Sequence, residues 1–578
     1  MKPHTTPFLR GTDAPKKRTM PSLFALLLCT PLAAQQWHIQ SPPAPDPVKG
    51  WPDASPLTEA ERLMLREPRA PDTPHLAMPA AEVPELAMYG AGQTRRDRVY
   101  FDHVEGHIWA LGSTYKASFG PEGFVYIPFL GSEAPKNYPV QFVLRSVRIG
   151  GQELRLEAAA PVRFEQSVRY ERGAVREQYD LRLEQVEQTF VVDSNLQGDV
   201  DVDLQVLTEL TADTTAGLQF GNQLGCVHYG AAHVVDGAAL FPVETTYAGN
   251  TIRIHVPAAK RGQGALVIDP LIQTSAFTAV HSNDASQPDI AYDASADQYL
   301  VVWQHPFSGG DFDIWSEFRN GNGTAIPGSL ASIDFTAFSH QNPRVANLYS
   351  YSRFLVVSQR YDGTHWAIWG RLRLTNALPH PIVWQISDVN TAGDAVNPDI
   401  GGDGGPGSQW LVAWERDLSA TESDIHARTV NADTSFGGFF LQLENTAGRL
   451  YSQPSVSQSN GNGFTASPRW MVVYQFRFSA LDYDIYGSAV APNGGGGNVT
   501  CRAAIDTSGS NDLVPTVTSP ATDFGGSVPM FMVTYERQSP FEAVARLVTP
   551  TFSNLFVNQI SPVNLTQTFG LPGFWVRA

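Results

Sequence analysis

Tyr299-Leu-Val-Val-Trp303, Phe354-Leu-Val-Val-Ser358, Trp410-Leu-Val-Ala-Trp414, Trp470-Met-Val-Val-Tyr474 and Phe531-Met-Val-Thr-Tyr535 are five versions of one short apolar strand. A proline precedes each, with Ile or Val two residues after it: Gln287-Pro-Asp-Ile, Asn342-Pro-Arg-Val, Asn397-Pro-Asp-Ile, Gln453-Pro-Ser-Val and Val514-Pro-Thr-Val. The prolines stand at 288, 343, 398, 454 and 515, in steps of 55, 55, 56 and 61. About ten residues beyond each apolar strand comes a third landmark: Asp313-Ile-Trp315, Ala367-Ile-Trp369, Asp424-Ile-His426, Asp484-Ile-Tyr486 and, weakly, Ala543-Val-Ala545. Three landmarks recurring in five copies define a repeat that runs over 276–563.

A unit of this length accommodates four strands of about six residues with their turns. Proline at the first residue of a strand removes no ladder bond and starts the strand extended. The second strand is apolar on both faces, so it must lie between neighbouring units rather than against solvent. One sheet cannot cover both of its own faces, and several must therefore stack. The repeats predict a β-propeller of five blades over residues 276–578, with six as the alternative count and a sandwich of the same strands as the alternative architecture.

Working outward, residues 86–275 show alternating apolar and polar runs such as Val140-Gln-Phe-Val-Leu, Val162-Arg-Phe-Glu-Gln and Asp201-Val-Asp-Leu-Gln-Val. That period of two, broken by turn signals such as Glu171-Arg-Gly173, predicts a β-sandwich of about a dozen strands. The fold class is therefore all-β. Residues 35–85 form a spacer with eleven prolines between Ser41 and Glu85, stiff and too poor in apolar residues to build a core. Residues 1–34 place a basic cluster (Lys16-Lys-Arg18) ahead of an apolar run from Leu23 to Cys29 and small residues at Ala33 and Ala34. That is the order of a signal peptide, unless translation starts at Met20, which would strip the basic stretch. The address read from it is secreted or cell surface.

Composition restricts the function. Of 578 residues, 42% are hydrophobic, 11% aromatic and 17% charged, with 49 Gly and 42 Pro, which excludes a disordered chain and a coiled coil. The formal charge is −17; the first 34 residues hold five basic and one acidic side chain, so their removal leaves −21. Such a field repels nucleic acid and anionic membrane surfaces. No apolar stretch is long enough for a membrane span. Cys226 and Cys501 remain after the leader, 275 residues apart, and neither has Cys-x-x-Cys spacing.

Two stretches carry a family likeness. Tyr170-Glu-Arg-Gly-Ala-Val-Arg-Glu-Gln-Tyr-Asp with Val267-Ile-Asp-Pro270 resembles the β-rich domain that precedes repeat propellers in large secreted bacterial proteins. The repeats resemble the Gln-Pro-x-Ile-Ala-Tyr … Tyr-Leu-Val-Val-Trp … Asp-Ile-Tyr units of exported bacterial propeller proteins of unknown role. The likeness covers about 480 of the 578 residues. It implies architecture and export, and says almost nothing of activity. The second copy departs from it at Ala367 and the fifth at Ala543.

The candidate sites are few. Asp313, Asp424 and Asp484, with Asp311 and Asp482 two residues earlier, could offer hard oxygens to calcium, but no ligand loop is complete, and turn capping is the structural reading. Asp289 and Asp399 follow the opening prolines and are the carboxylates that a glycoside hydrolase reading would use; Arg344, Ser455 and Thr516 replace them in the other copies. Asp199, Asp201 and Asp203 share one strand face. Nucleophile, zinc-protease and phosphate-loop motifs are absent. No catalytic, cofactor or metal residue is therefore assigned. Trp303, Trp315, Trp410 and Trp414 recur at strand positions, as packing residues do, whereas Trp366 and Trp384 fall outside the repeat and are the ligand-binding candidates. The sequence thus favours an extracellular protein that binds a glycan or a protein through one propeller face, with a polysaccharide-cleaving glycoside hydrolase as the alternative.

Overall fold

The computed structural model describes residues 98–564, apart from 237–238, 262–263, 277–284, 349–350, 376–378, 389–392, 404–408, 439, 463–464, 466, 493–497, 523–528, 539–540, 551–554 and 558–562. The expected leader (1–34) and proline-rich spacer (35–85) lie outside the described residues. The described chain is all-β; its one helical element is a single 3-10 turn at Ala258–Lys260. No helix among the described residues is long and apolar enough to cross a membrane.

The described residues from 98 to Ala276 form two antiparallel sheets, of nine and eleven strands. Their alternating sequences turn one set of side chains inward. Val175–Leu181 buries Val175, Tyr179 and Leu181, for example, and Gln185–Val192 buries Val186, Phe190 and Val192. These meet Phe119, Phe124, Phe142, Val202 and Ile254 of the other sheet in one continuous core. Within it Phe124 and Tyr179 approach to 4.4 Å between ring centroids. Cys226 and Cys501 are both buried and both free.

Among the described residues each of the five repeats folds as its own antiparallel sheet, four of them four-stranded and the fifth six-stranded. Repeat 1 comprises Ser286–Asp293, Gln298–Ser308, Asp311–Asn320 and Ala331–Asp334. The corresponding first strands of repeats 2 to 5 are Ser339–Leu348, Asp394–Gly401, Tyr451–Val456 and Asn511–Val517, and each packs on the first strand of the repeat before it. The apolar second strand is covered on both faces in the middle of the array: Trp410 to Trp414 and Trp470 to Tyr474 are all at most 2% exposed. Its tryptophans reach into the preceding repeat, Trp410 Nε1 donating to Ala346 O (3.1 Å) and Trp470 Nε1 to Gly402 O (2.7 Å). At the ends the cover thins. Tyr299, Val301 and Trp303 of repeat 1 are half-buried, and Met532 of repeat 5 is 38% exposed.

The repeat prolines do not start their strands, as the sequence led us to expect. Each lies inside the first strand, where the pairing register slips, between Ser286 and Asp289 in repeat 1 and between Gln341 and Arg344 in repeat 2. A bulge takes residues out of the ladder, so the missing proline N–H goes unneeded there. The residue before each proline is left-handed: Gln287, Asn342, Asn397, Gln453 and Val514 have φ of 52, 52, 49, 53 and 51°. This conformation carries a strain of about 1–3 kcal/mol outside glycine. It also points the backbone N–H sideways, at a side chain of the preceding repeat. Gln304 Oε1 accepts from Asn342 N (2.8 Å), Gln359 Oε1 from Asn397 N (2.8 Å), Glu415 Oε2 from Gln453 N (3.1 Å), and Gln475 Oε1 from Val514 N. One column of side chains thereby ties every repeat to the next.

The N-terminal sheets dock on repeats 1 and 2. Tyr115–Gly120 is buried along its whole length. Tyr115, Ala117 and Phe119 enter the core between the two sheets, while Lys116 points the other way, into repeat 1. Lys116 Nζ donates to Asp311 Oδ2 (2.6 Å), Asp313 Oδ1 (2.7 Å) and Thr336 O (2.9 Å), with lysine and both aspartates at most 1% exposed. Around this cluster Tyr100, Trp109, Leu111, Ile127 and Phe129 pack against Phe307, Trp315 and Phe335. Repeat 2 adds Arg371, which holds both carboxylate oxygens of Asp102, and Arg360, whose Nη2 lies 2.9 Å from Glu105 Oε1.

Two outcomes follow from these contacts. Replacing Lys116 with methionine strands two buried carboxylates; a loss of about 3–5 kcal/mol is expected, read as a lower urea midpoint, and an unchanged midpoint would remove the docking role. Glu415 is the one acid among the four column residues whose bonds are described above. Burial and the neighbouring Asp417 push its carboxyl from 4.5 up to about 8. A raised folded-state pKa gives stability that is complete below about pH 4.5 and fades as the pH rises through 8. Glu415→Gln restores the residue found in repeats 1, 2 and 4, so it is expected to match the parent near pH 5 and to exceed it by roughly 1–3 kcal/mol at pH 9. Chemical denaturation at the two pH values measures this directly.

Candidate functional site

A cleft lies between repeats 2 and 3 and begins at a hairpin tip. In Tyr361-Asp-Gly-Thr-His-Trp366, Asp362 Oδ1 accepts from Thr364 N (2.8 Å), Thr364 Oγ1 (2.7 Å) and His365 N (2.8 Å). Those donors hold its carboxyl below the usual range. Gly363 supplies the positive φ, 99°, that the turn requires. The turn sets Trp366 opposite Tyr361, with ring centroids 5.2 Å apart. Trp366 N in turn donates to Asp394 Oδ1 at the start of repeat 3 (3.0 Å).

Behind the tip is a cavity of about 330 Å³. Its aromatic wall is Trp366, Trp369 and Trp414. Trp414 is 2% exposed, whereas Trp366 and Trp369 are half-buried, and the Arg360 guanidinium carbon lies 4.3 Å from the centre of the Trp369 ring. Its polar wall is Arg360, Arg416, Gln385, Ser387 and Asp388, with His365 at the mouth. The N-terminal sheets contribute Glu105, so the cleft draws on three parts of the chain. Flat apolar rings beside convergent donors and acceptors form the kind of surface that takes a sugar: the rings meet its C–H face and the polar edge meets its hydroxyls.

Of the two tryptophans singled out in the sequence, Trp366 lines this cavity. Trp384, on the outer strand Pro379–Gln385 of repeat 2, packs beside the hydrophobic cluster of Leu355, Ile368 and Trp410 and is not part of the cavity wall. Most of the aspartates prove to be fasteners. Asp311 and Asp313 hold Lys116, a cation supplied by the protein in place of calcium or a turn N–H. Asp424 Oδ2 lies 3.7 Å from both Arg416 Nη1 and His426 Nε2. Burial and then Asp482, Asp512 and Asp506 push Asp484 up to about 6. Asp289 Oδ2 accepts from Val345 N (2.9 Å) and Asp399 Oδ2 from Val456 N (2.7 Å), each bridging to the next repeat. Asp203 sits between Arg148 and Arg253, Asp201 meets His255 (2.8 Å), and Asp199 accepts from Ala258 N (2.8 Å). Among the described residues, no group of three or more His, Cys, Asp or Glu is placed to hold a metal ion.

Sequence reasoning missed the basic side of the cleft. Two residues after the end of the apolar strand stand His305, Arg360, Arg416, Phe476 and Arg537. An arginine in three of five copies was a readable signal.

No family model matches the chain, and no curated protein does. Among solved structures it is similar to an endo-arabinase from Bacteroides thetaiotaomicron VPI-5482, at 13% identity over 46% of this chain and 93% of that one, with a TM-score of 0.28. A thermostable family-43 glycoside hydrolase (11% identity, 47% and 92% coverage, TM-score 0.28) is similar as well. So is the catalytic domain of a GH62 α-L-arabinofuranosidase from Coprinopsis cinerea (10% identity, 46% and 90% coverage, TM-score 0.28). At these TM-scores the likenesses carry no argument for this chain.

Proposed function

We propose that this protein is an extracellular or cell-surface binding protein that holds a glycan in the cleft between repeats 2 and 3. In this reading the N-terminal pair of sheets is a β-sandwich, the five repeat sheets are the blades of a propeller, and residues 1–34 direct export. The observation that carries the function is the cavity itself: half-buried Trp366 and Trp369 facing the side chains of Arg360, Arg416, Gln385 and Ser387. Aromatic faces opposite a fan of hydrogen-bonding groups favour a sugar over a purely apolar ligand. Cleavage would require two carboxylates positioned for acid and base work. Asp289 and Asp399, the pair the sequence offers for it, each hold a backbone N–H of the next repeat and do not line the cleft.

The test uses the full-length protein with a panel of soluble and insoluble polysaccharides, following protein depletion and reducing ends in the same tubes. Depletion without new reducing ends is expected. Trp366→Ala should weaken retention about tenfold or more, and Trp384→Ala should retain it. Release of reducing ends by the parent protein would replace binding with hydrolysis. Retention untouched by Trp366→Ala would move the ligand elsewhere, and capture of a protein but no glycan would change its class.

A further inference from the structure

We propose that repeat 4 carries a second seat for a lysine ammonium, built like the one that Lys116 fills in repeat 1, and that it receives a lysine presented by a partner protein. The seat in repeat 1 is made of Asp311, Asp313, the carbonyl of Thr336, and Phe307, whose ring centre lies 4.3 Å from Lys116 Nζ. The pairing register finds each part again in repeat 4. Asp311 stands opposite Ser308 after a slip in the ladder, and Asp482 opposite Ser479 after the same slip. The residues skipped are Phe307 in repeat 1 and Phe478 in repeat 4. Asp313 faces His305, and Asp484 faces Phe476. Ile314 pairs with Asp334, whose Oδ1 accepts from Thr336 N (3.1 Å); Ile485 pairs with Asp506, whose Oδ1 accepts from Ser508 N (2.9 Å). Ser508 thus stands where Thr336 does.

What repeat 4 lacks is the cation. Repeat 1 sets Lys116 against its third-strand aspartate, and repeat 3 sets Arg416 3.7 Å from Asp424. In repeat 4 the place of Arg416 is taken by Phe476. Asp484 is only 6% exposed, yet among the described residues it has neither a hydrogen bond nor an ion pair. Arg537 and Arg546 of repeat 5 are engaged by Asp506 and Asp512. A buried carboxylate without a partner is costly. Two carboxylates and a carbonyl suit the three N–H donors of one ammonium, as Lys116 demonstrates. The rim calls for a protein rather than a free amine. Phe307 is 1% exposed, covered by Phe129 of the N-terminal sheets at 5.3 Å between ring centroids. Phe478 and Leu481, at the tip of the corresponding hairpin, are 65% and 71% exposed, the most of any large apolar side chain among the described residues. A lysine set in an apolar surface supplies cover and charge together, and a net charge of −17 favours the approach of a basic partner. The other described lysines of this chain are engaged, Lys136 with Glu209 and Lys260 with the Pro242 carbonyl.

The experiment titrates the full-length protein with the peptide acetyl-Ala-Phe-Lys-Phe-Ala-amide and with its norleucine twin, which keeps the aliphatic stem and loses the charge. The lysine peptide is expected to bind at least about tenfold more tightly. Asp484→Asn should erase that preference. Phe478→Ser changes an exposed side chain and should weaken both peptides several-fold; this variant keeps the test decisive if Asp484→Asn fails to fold. A carbodiimide, which takes up the water lost as an amide forms, should join the peptide's lysine to Asp482 or Asp484, as read by mass spectrometry. Equal binding of the two peptides, or a preference that neither substitution alters, would overturn the seat. With no peptide added, a cross-link from Asp484 to Lys49 of the same chain, or to a lysine of a second copy, would overturn the partner protein as the occupant.

Discussion

A single ammonium group fixes how the two halves of this chain meet. Lys116 leaves a strand whose other side chains build the N-terminal core and enters repeat 1, where Asp311, Asp313 and a backbone carbonyl receive it. Burying three charges without solvent is tolerable only when each is closely partnered. The geometry therefore admits little freedom of register between the sheets and the repeat. Once Lys116 is seated, the aromatic packing around Phe307 and Trp315 follows, and so does the reach of Asp102 to Arg371 and of Glu105 to Arg360. The cleft inherits its Glu105 wall from that docking.

Along the repeats the constraint is of another kind. A strained residue before each proline directs one N–H across the gap between sheets, and a Gln or Glu of the preceding repeat accepts it. Strain and hydrogen bond come as a pair: without the acceptor the left-handed turn would lack its compensation, and without the turn the acceptor would have nothing to bind. Asp289 and Asp399 add a second tie of the same sense. The first strands of the repeats are thereby given over to holding the stack together, and Asp362 and Gly363 shape the hairpin tip at the cleft.

How much of this could be read beforehand depended on range. Repeat period, strand content and the packing role of Trp410 and Trp414 were legible because a fixed spacing of apolar residues is a local property. Trp366 stood out for the opposite reason, as an aromatic outside that spacing. Lys116 was invisible: its partners lie 195 and 197 residues away, and nothing near it in sequence marks it as different from a surface lysine. The prolines were recognised but misplaced, because a bulge inside a strand and a strand start both look like Pro before Ile or Val. Arg360 and Arg416 form a column that was overlooked, since a charged residue at a repeated position reads as solvated surface until a cavity is found beside it.

The seat of Lys116 also ties the first repeats of the array to the N-terminal sheets. Repeat arrays change length over generations by copying or deleting whole units, because each unit contacts only its neighbours. Here repeats 1 and 2 carry partners from the N-terminal sheets as well. A unit inserted between them would pull Arg360 and Arg371 away from Glu105 and Asp102 while Asp311 and Asp313 stayed with Lys116. A unit gained or lost beyond repeat 3 disturbs none of these. Gain or loss of a whole unit is thus expected to be tolerated beyond repeat 3 sooner than between repeats 1 and 2.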